Sequence, residues 1–427
     1  MKHVVIVGGG FVGLNVAKGL ARARDIEVTL LDARNHHLFQ PLLYQVATGG
    51  LSPAEIAAPI RSILSDCRNT RVLRQRVTRI DLERKIVASD IEEHAYDYLI
   101  LACGARHTYF GNETWESNAP GLKSLEQATE IRRRVLTSFE DAEQESDPEC
   151  KKALLTFAII GGGPTGVELA GAIGEMSRFT LARDFRQIDP KLARVILIEG
   201  GPRILPSFDE KLSSRAVRDL ERIGVQVWTS SIVSKVDELG VEIGNERLEC
   251  RTVLWAAGVR ASQLGDQLDT ELDQQGRVKV EADLSLKDHP EVFVAGDQAH
   301  VVGPGGGPLP GMAPPAMQQG RYLARRIRAL IDGDSYPDFR FRDKGQMATI
   351  GRRRAVLESG GLKLAGYPAW LLWLIVHIYY LVGFKNRLFV VLQWAWAYFS
   401  YRRGARLIVS KDWRLYDSER EDSSGSS

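Results

Sequence analysis

A chain of 427 residues exceeds one ordinary core, so two or three domains are expected. With 44% hydrophobic and 26% charged residues it is globular rather than disordered, and a net charge of +2 implies no nucleic-acid or other polyanionic partner. Its four cysteines, Cys67, Cys103, Cys150 and Cys250, are too dispersed for a C-x-x-C pair or a metal cluster and read as reduced thiols of an intracellular protein.

Met1-Lys2-His3 leads straight into an apolar run, which leaves no room for a signal peptide. That run, Val4-Val5-Ile6-Val7, opens into Gly8-Gly9-Gly10-Phe11-Val12-Gly13, followed by a helical segment from Leu14 to Ala23 and a strand from Glu27 to Leu31 that ends on Asp32. A G-x-G-x-x-G turn alone is weak evidence, but strand, turn, helix, strand and terminal acid together form a βαβ dinucleotide unit. Gly8, Gly10 and Gly13 let the backbone turn and approach a pyrophosphate at the helix N-terminus, and Asp32 can accept from a ribose 2′-hydroxyl.

Next comes Asn35 to Gly50, too polar and broken for one helix, and of the kind that carries ligand contacts. Its two histidines, His36 and His37, read equally well as exposed loop residues. Strand-like alternation follows over Val72 to Ile80, Lys85 to Ala88 and Tyr96 to Leu101, closing on Ala102-Cys103-Gly104-Ala105. A strand ending in small residues, Gly104 among them, suits close approach to a nucleotide. Leu125 to Glu145 is a charged helix, and a boundary lies near the polar break from Glu143 to Cys150.

The opening pattern then repeats. Phe157 to Ile160 leads into Gly161-Gly162-Gly163-Pro164-Thr165-Gly166, a helix from Val167 to Leu181, and a strand from Val195 to Ile198 ending on Glu199. Glu199 lies 38 residues after Gly161 instead of the usual interval of about 20, and the polar piece Arg183 to Leu192 accounts for the excess. Two complete units imply two dinucleotide sites. FAD is assigned to the first, and NADH to the second through Gly161, Gly163, Gly166 and Glu199, whose carboxylate repels a 2′-phosphate.

A later strand, Val292 to Ala295, ends on Gly296-Asp297, and Thr252 to Val259 forms another strand and turn containing Gly258. These features resemble the flavoproteins built from two dinucleotide-binding domains. The resemblance implies that Asp297 meets the ribityl chain of FAD and that the chain leaves the NADH domain near Gly258. The thiol-dependent branches need cysteines beside the flavin, and Phe39 to Gly50 has none. No cysteine follows Cys250 either, which argues against the two-cysteine sulfide:quinone type.

The C-terminal third carries Pro368 to Phe384 and Leu388 to Phe399, both apolar and rich in Trp and Tyr, with Lys385, Arg387, Arg402, Arg403, Arg406, Lys411 and Arg414 around them. A bilayer crossing takes about 20 apolar residues, so these read as two helices lying on the membrane. Together with Phe39-Gln40-Pro41-Leu42-Leu43-Tyr44-Gln45-Val46-Ala47-Thr48-Gly49, Gly166-Val167-Glu168-Leu169-Ala170-Gly171 and Gly383-Phe384-Lys385-Asn386-Arg387, they resemble type II NADH:quinone oxidoreductases from Lys2 to about Trp413.

That resemblance implies an α/β fold of two Rossmann-like domains, the NADH domain (121–259) inserted in the FAD domain (1–120 and 260–345). A membrane-associating helical region (346–416) and a disordered tail (417–427) would follow. It places Thr48, Ala316 and Met317 with the FAD residues. The family's A-Q-x-A-x-Q-Q stretch reads Ala313 to Gln319 here with Pro314 in place of the first glutamine, leaving Gln318 as the candidate quinone contact. Glu168, near the start of the second helix, is the candidate for proton relay. The expected partners are NADH, a membrane quinone and the lipid surface at the cytoplasmic face of the cell membrane; a homodimer is compatible with the sequence. A soluble ferredoxin- or rubredoxin-type reductase and a flavin-binding redox sensor remain the alternatives.

Overall fold

The computed structural model describes residues 1–382, 384–400 and 404–409. The tail expected over 417–427 and much of the basic flank, including Arg402, Arg403, Lys411 and Arg414, lie outside them.

The first sheet grows from β1 (Lys2–Val7), α1 (Phe11–Leu20) and β2 (Ile26–Asp32). The short helix α2 (Leu43–Ala47) follows, then β3 (Thr70–Arg74) and β4 (Tyr98–Leu101). Runs such as Val4-Val5-Ile6 are fully buried, as expected of parallel strands covered on both faces. The chain departs through β5 (Ala105–His107) into the long helix α3 (Leu125–Gln144).

A second parallel sheet is then made from β6 (Thr156–Ile160), α4 (Pro164–Glu175), β7 (Arg194–Ile198), β8 (Val225–Trp228) and β9 (Thr252–Trp255), in the order β8-β7-β6-β9. Between α4 and β7 the chain makes one π-helical turn, Met176–Thr180, and a 3-10 turn, Pro190–Leu192, which is where the extra length before Glu199 resides.

The return path is β10 (Val259–Ala261), antiparallel to β5 with Ala105 opposite Ala261, so outgoing and incoming chains cross side by side. Beyond it β11 (Val292–Val294) joins the edge of the first sheet beside β4, giving the order β11-β4-β1-β2-β3. The helix α5 (Ala313–Asp332) starts at the end of that sheet.

The remainder forms an antiparallel layer, β12 (Gln346–Gly351), β13 (Arg354–Ser359) and β14 (Leu362–Ala365), followed by α6 (Tyr367–Tyr380) and α7 (Phe384–Ser400). This layer is seated on α4. A Cβ at Gly171 would come within 1.9 Å of the Ile350 carbonyl oxygen, so only glycine permits the approach that sets Thr349 and Arg352 against Glu168 and Glu175.

Candidate active site

The two glycine turns are built alike. Gly8 and Gly161 have φ of 107° and 109°, and a Cβ at Gly13 or Gly166 would lie 1.9 or 1.8 Å from the carbonyl oxygen of Gly8 or Gly161. Gly10 and Gly163 face open space at the helix starts, where a pyrophosphate would be met by unpaired backbone N–H groups. Each terminal acid braces its own turn: Asp32 Oδ2 accepts from Gly9 N at 2.6 Å and Oδ1 from Arg34 N at 2.7 Å, while Glu199 accepts from Gly162 N and Gly201 N, both at 2.6 Å. A carboxylate offers about four lone-pair sites, so capacity remains for a ribose hydroxyl.

A cavity of about 760 Å³ runs across the carboxyl ends of the first sheet, lined by Gly8, Gly10, Asp32, Gly104, Asp297 and Ala316 among others. Gly104, at φ 69°, has empty space where a side chain would project. Asp297 stands 3.6 Å from the Lys123 ammonium, and the N-terminus of α5 borders the same end. His36 and His37 also line this cavity, each with a buried Nε2 that lacks a hydrogen-bond partner. His37 is 3% exposed and its Nδ1 faces the Gly9 carbonyl at 3.2 Å, so burial holds it neutral with a pKa lowered to about 4. Of the two readings left open for the histidines, exposure does not hold for His37, whose short strand pairs with Ala57–Pro59. The glycine cradle, two orphaned imidazole nitrogens and a carboxylate at each end fit FAD.

Several sequence candidates stand elsewhere. Thr48 lines a second cavity instead of this one, its hydroxyl donating to the Tyr44 carbonyl at 3.0 Å. Met317 is buried and borders neither cavity, whereas Gln319 accepts from Gly296 N at 2.6 Å and fixes the turn before Asp297. Gln318 also lies off both cavities: its amide nitrogen donates to the Arg342 carbonyl and its oxygen accepts from Arg342 N, both at 3.0 Å. That pairing ties α5 to the chain ahead of β12 and holds the side chain away from both cavities. Gly258, at φ 72°, is covered by the Phe110 ring, which a Cβ there would meet at 2.5 Å.

The second cavity, about 870 Å³, opens among α2, α4, β12, α6 and α7. Its wall is mostly apolar, with Trp373, Leu374, Ile378, Val391 and Trp394. Glu168 lines it from α4. Its carboxyl is half-buried against the cavity wall, and desolvation there raises its pKa to about 8; the Thr349 amide, 3.4 Å away, and the nearby Trp373 indole oppose that rise. Glu175 lines the same wall two turns on, and its carboxylate accepts from Arg352 N. Gln45 accepts from the Trp394 indole at 2.8 Å and donates to the Tyr44 hydroxyl at 2.8 Å. Sequence reasoning singled out Glu168 and missed Trp373, which one aromatic residue among many gave no means to choose.

Two parallel dinucleotide sheets joined by a paired crossover, with the cradle for a flavin nucleotide at the first, define the pyridine-nucleotide-dependent flavoprotein oxidoreductases. The pyridine nucleotide-disulphide oxidoreductase family matches residues 2–320, and the NDH2 C-terminal domain matches residues 344–403. The type II NADH:quinone oxidoreductase Ndh of Mycobacterium tuberculosis is 44% identical, covering 96% of this chain and 90% of its own; NdhA of the same organism is likewise 44% identical over the same shares. The chain belongs to the type II NADH:quinone oxidoreductase family. Its fold matches that of NDH2 from Plasmodium falciparum in complex with NADH, with a TM-score of 0.87 at 21% identity over 96% of this chain and all of that one.

Proposed function

We infer that this protein carries electrons from NADH through FAD to a membrane quinone, without proton pumping, while lying on the surface of the membrane. The observation that carries the reading is the pairing of a dinucleotide cradle with a separate, mostly apolar cavity, whose wall holds a carboxyl that desolvation biases toward its protonated form at neutral pH. FAD, when bound, supplies the redox chemistry between the two substrates.

The chain supplies orientation and protons. Gly8, Gly10 and Gly13 with the N-terminus of α1 hold the FAD pyrophosphate, Asp32 its ribose, and Asp297, Gly104 and Ala316 flank the other end of the cavity. Gly161, Gly163, Gly166 and Glu199 hold NADH, and Glu199 sets the preference over NADPH. Glu168, protonated below about pH 8, delivers a proton to a quinone oxygen in the mostly apolar cavity.

The membrane face is the outer side of α6 and α7. Ile375 and Tyr379 on α6 are 64% and 68% exposed, and Leu392 and Trp396 on α7 are 56% and 65% exposed. Isolated apolar side chains on a surface are ordinary; a continuous row of them beside the mouth of an apolar cavity is suited to lipid. At 14 and 17 residues these helices measure about 21 and 26 Å, against about 30 Å of hydrocarbon, and none among the described residues is long and apolar enough to cross. The cytoplasmic face is the side on which NADH is available.

Purified protein should show a flavin spectrum bleached by NADH and restored by a short-chain quinone, and should sediment with anionic lipid vesicles. Full activity toward a soluble iron–sulfur acceptor, with neither quinone turnover nor vesicle binding, would instead establish the soluble-reductase alternative.

A further inference from the structure

Within the quinone cavity one polar group has no assigned work. Trp373, in the middle of α6, is 2% exposed and lines the cavity, and its indole Nε1–H is buried without a hydrogen-bond partner. A buried tryptophan N–H normally finds an acceptor, because stranding a donor costs on the order of 1–3 kcal/mol. The Glu168 carboxyl lies beside it, close enough for the indole to favour its charged form but not engaged in a bond of ordinary geometry. Two donors at neutral pH, an indole and a protonated carboxyl, thus converge on one point of an otherwise mostly apolar wall.

The indole is also held rigidly. His377, one turn along α6, stacks on it with ring centroids 4.1 Å apart and planes 28° apart. The His377 ring is fixed in turn by its Nδ1, 2.7 Å from the Trp373 carbonyl oxygen, and burial keeps it neutral with a pKa lowered to about 4. Trp394 packs against Trp373 at 5.4 Å and is itself tied to Gln45. A donor locked by packing and hydrogen bonds at the end of a cavity is the arrangement of a preorganised ligand contact.

We propose that the Trp373 indole N–H donates a hydrogen bond to a carbonyl oxygen of the bound quinone, orienting the head group so that Glu168 can protonate it. The role rests on the reading of this cavity as the quinone site. The indole gives up no proton: it polarises the carbonyl, and the carboxyl of Glu168 supplies the proton. The charged groups facing the cavity from the packed elements are Glu168 and Glu175 on α4, Arg352 after β12 and Arg387 on α7.

Trp373→Phe keeps the aromatic stack and removes only the donor. In the FAD-loaded enzyme, bleaching of the flavin by NADH should be unchanged, while KM for a short-chain ubiquinone analogue should rise about tenfold, the scale of one lost ligand hydrogen bond. In the wild-type enzyme labelled with 15N, a non-reducible quinone analogue should shift an indole N–H resonance, and this result does not depend on the variant folding. An unchanged KM, or the absence of any shift among the indoles, overturns the proposal. If the indole only steadies the Glu168 carboxylate, Trp373→Phe would raise the pH midpoint of quinone reduction and leave KM alone, and that outcome overturns it as well. Glu168→Gln, measured alongside, separates the two levels: if both variants leave quinone kinetics untouched, the quinone binds elsewhere, whereas a defect in Glu168→Gln alone refutes only the role of Trp373.

Discussion

Glu168→Gln should make the protein more stable, increasingly so as pH rises. The ordinary carboxyl value is 4.5 and desolvation in the cavity raises it to about 8 in the folded protein. Between these values the folded chain binds one proton that the unfolded chain has released, so unfolding free energy falls by about 1.4 kcal/mol per pH unit. The contribution is fully present below pH 4.5 and is lost as pH climbs through 8. At pH 7 the burden is about 3 kcal/mol relative to a side chain that cannot titrate. Glutamine is nearly isosteric and its carbonyl can still accept from Thr349 N. The gap in unfolding free energy between variant and wild type should therefore widen from pH 5 to pH 8 and stay level beyond. Denaturant unfolding with excess FAD, followed by tryptophan fluorescence at each pH, measures that gap with the cofactor contribution cancelled. Parallel curves across pH 5–8 would refute the desolvated carboxyl and with it the proton reservoir.

Glu199→Gln should narrow the preference for NADH over NADPH about tenfold, ~1.4 kcal/mol, in steady-state assays with each nucleotide. Gly166→Ala forces a methyl group to within 1.8 Å of the Gly161 carbonyl oxygen, so KM for NADH should rise at least about tenfold while bound FAD, counted from the flavin absorbance, is retained. Gln318→Ala removes two bonds to the Arg342 backbone and should cost about 1 kcal/mol of stability while leaving both half-reactions at wild-type rates. Stopped-flow traces in which only reoxidation by quinone slows would return Gln318 to the quinone site.

What could be read along the chain was local and periodic. Val4 to Asp32 and Phe157 to Glu199 declare themselves because a dinucleotide turn needs glycine at fixed offsets and its strands are buried on both faces, constraints written within a few tens of residues. Apolar tryptophan-rich runs likewise mark α6 and α7, since each helix is a continuous stretch whose composition shows within its own span. The three-dimensional arrangement alone decided which side chains share a cavity. Gln318 and Gln319 are adjacent in sequence, yet one is tied to Arg342 and the other to the Gly296 turn, because neighbouring helical positions point about 100° apart. Glu168 and Trp373 are separated by some 200 residues and meet only because Gly171 lets the C-terminal layer settle on α4. The raised pKa of Glu168 is likewise a property of that closure: a carboxyl in the second turn of a helix is ordinary until the layer built from β12 and α6 packs over it and desolvates it.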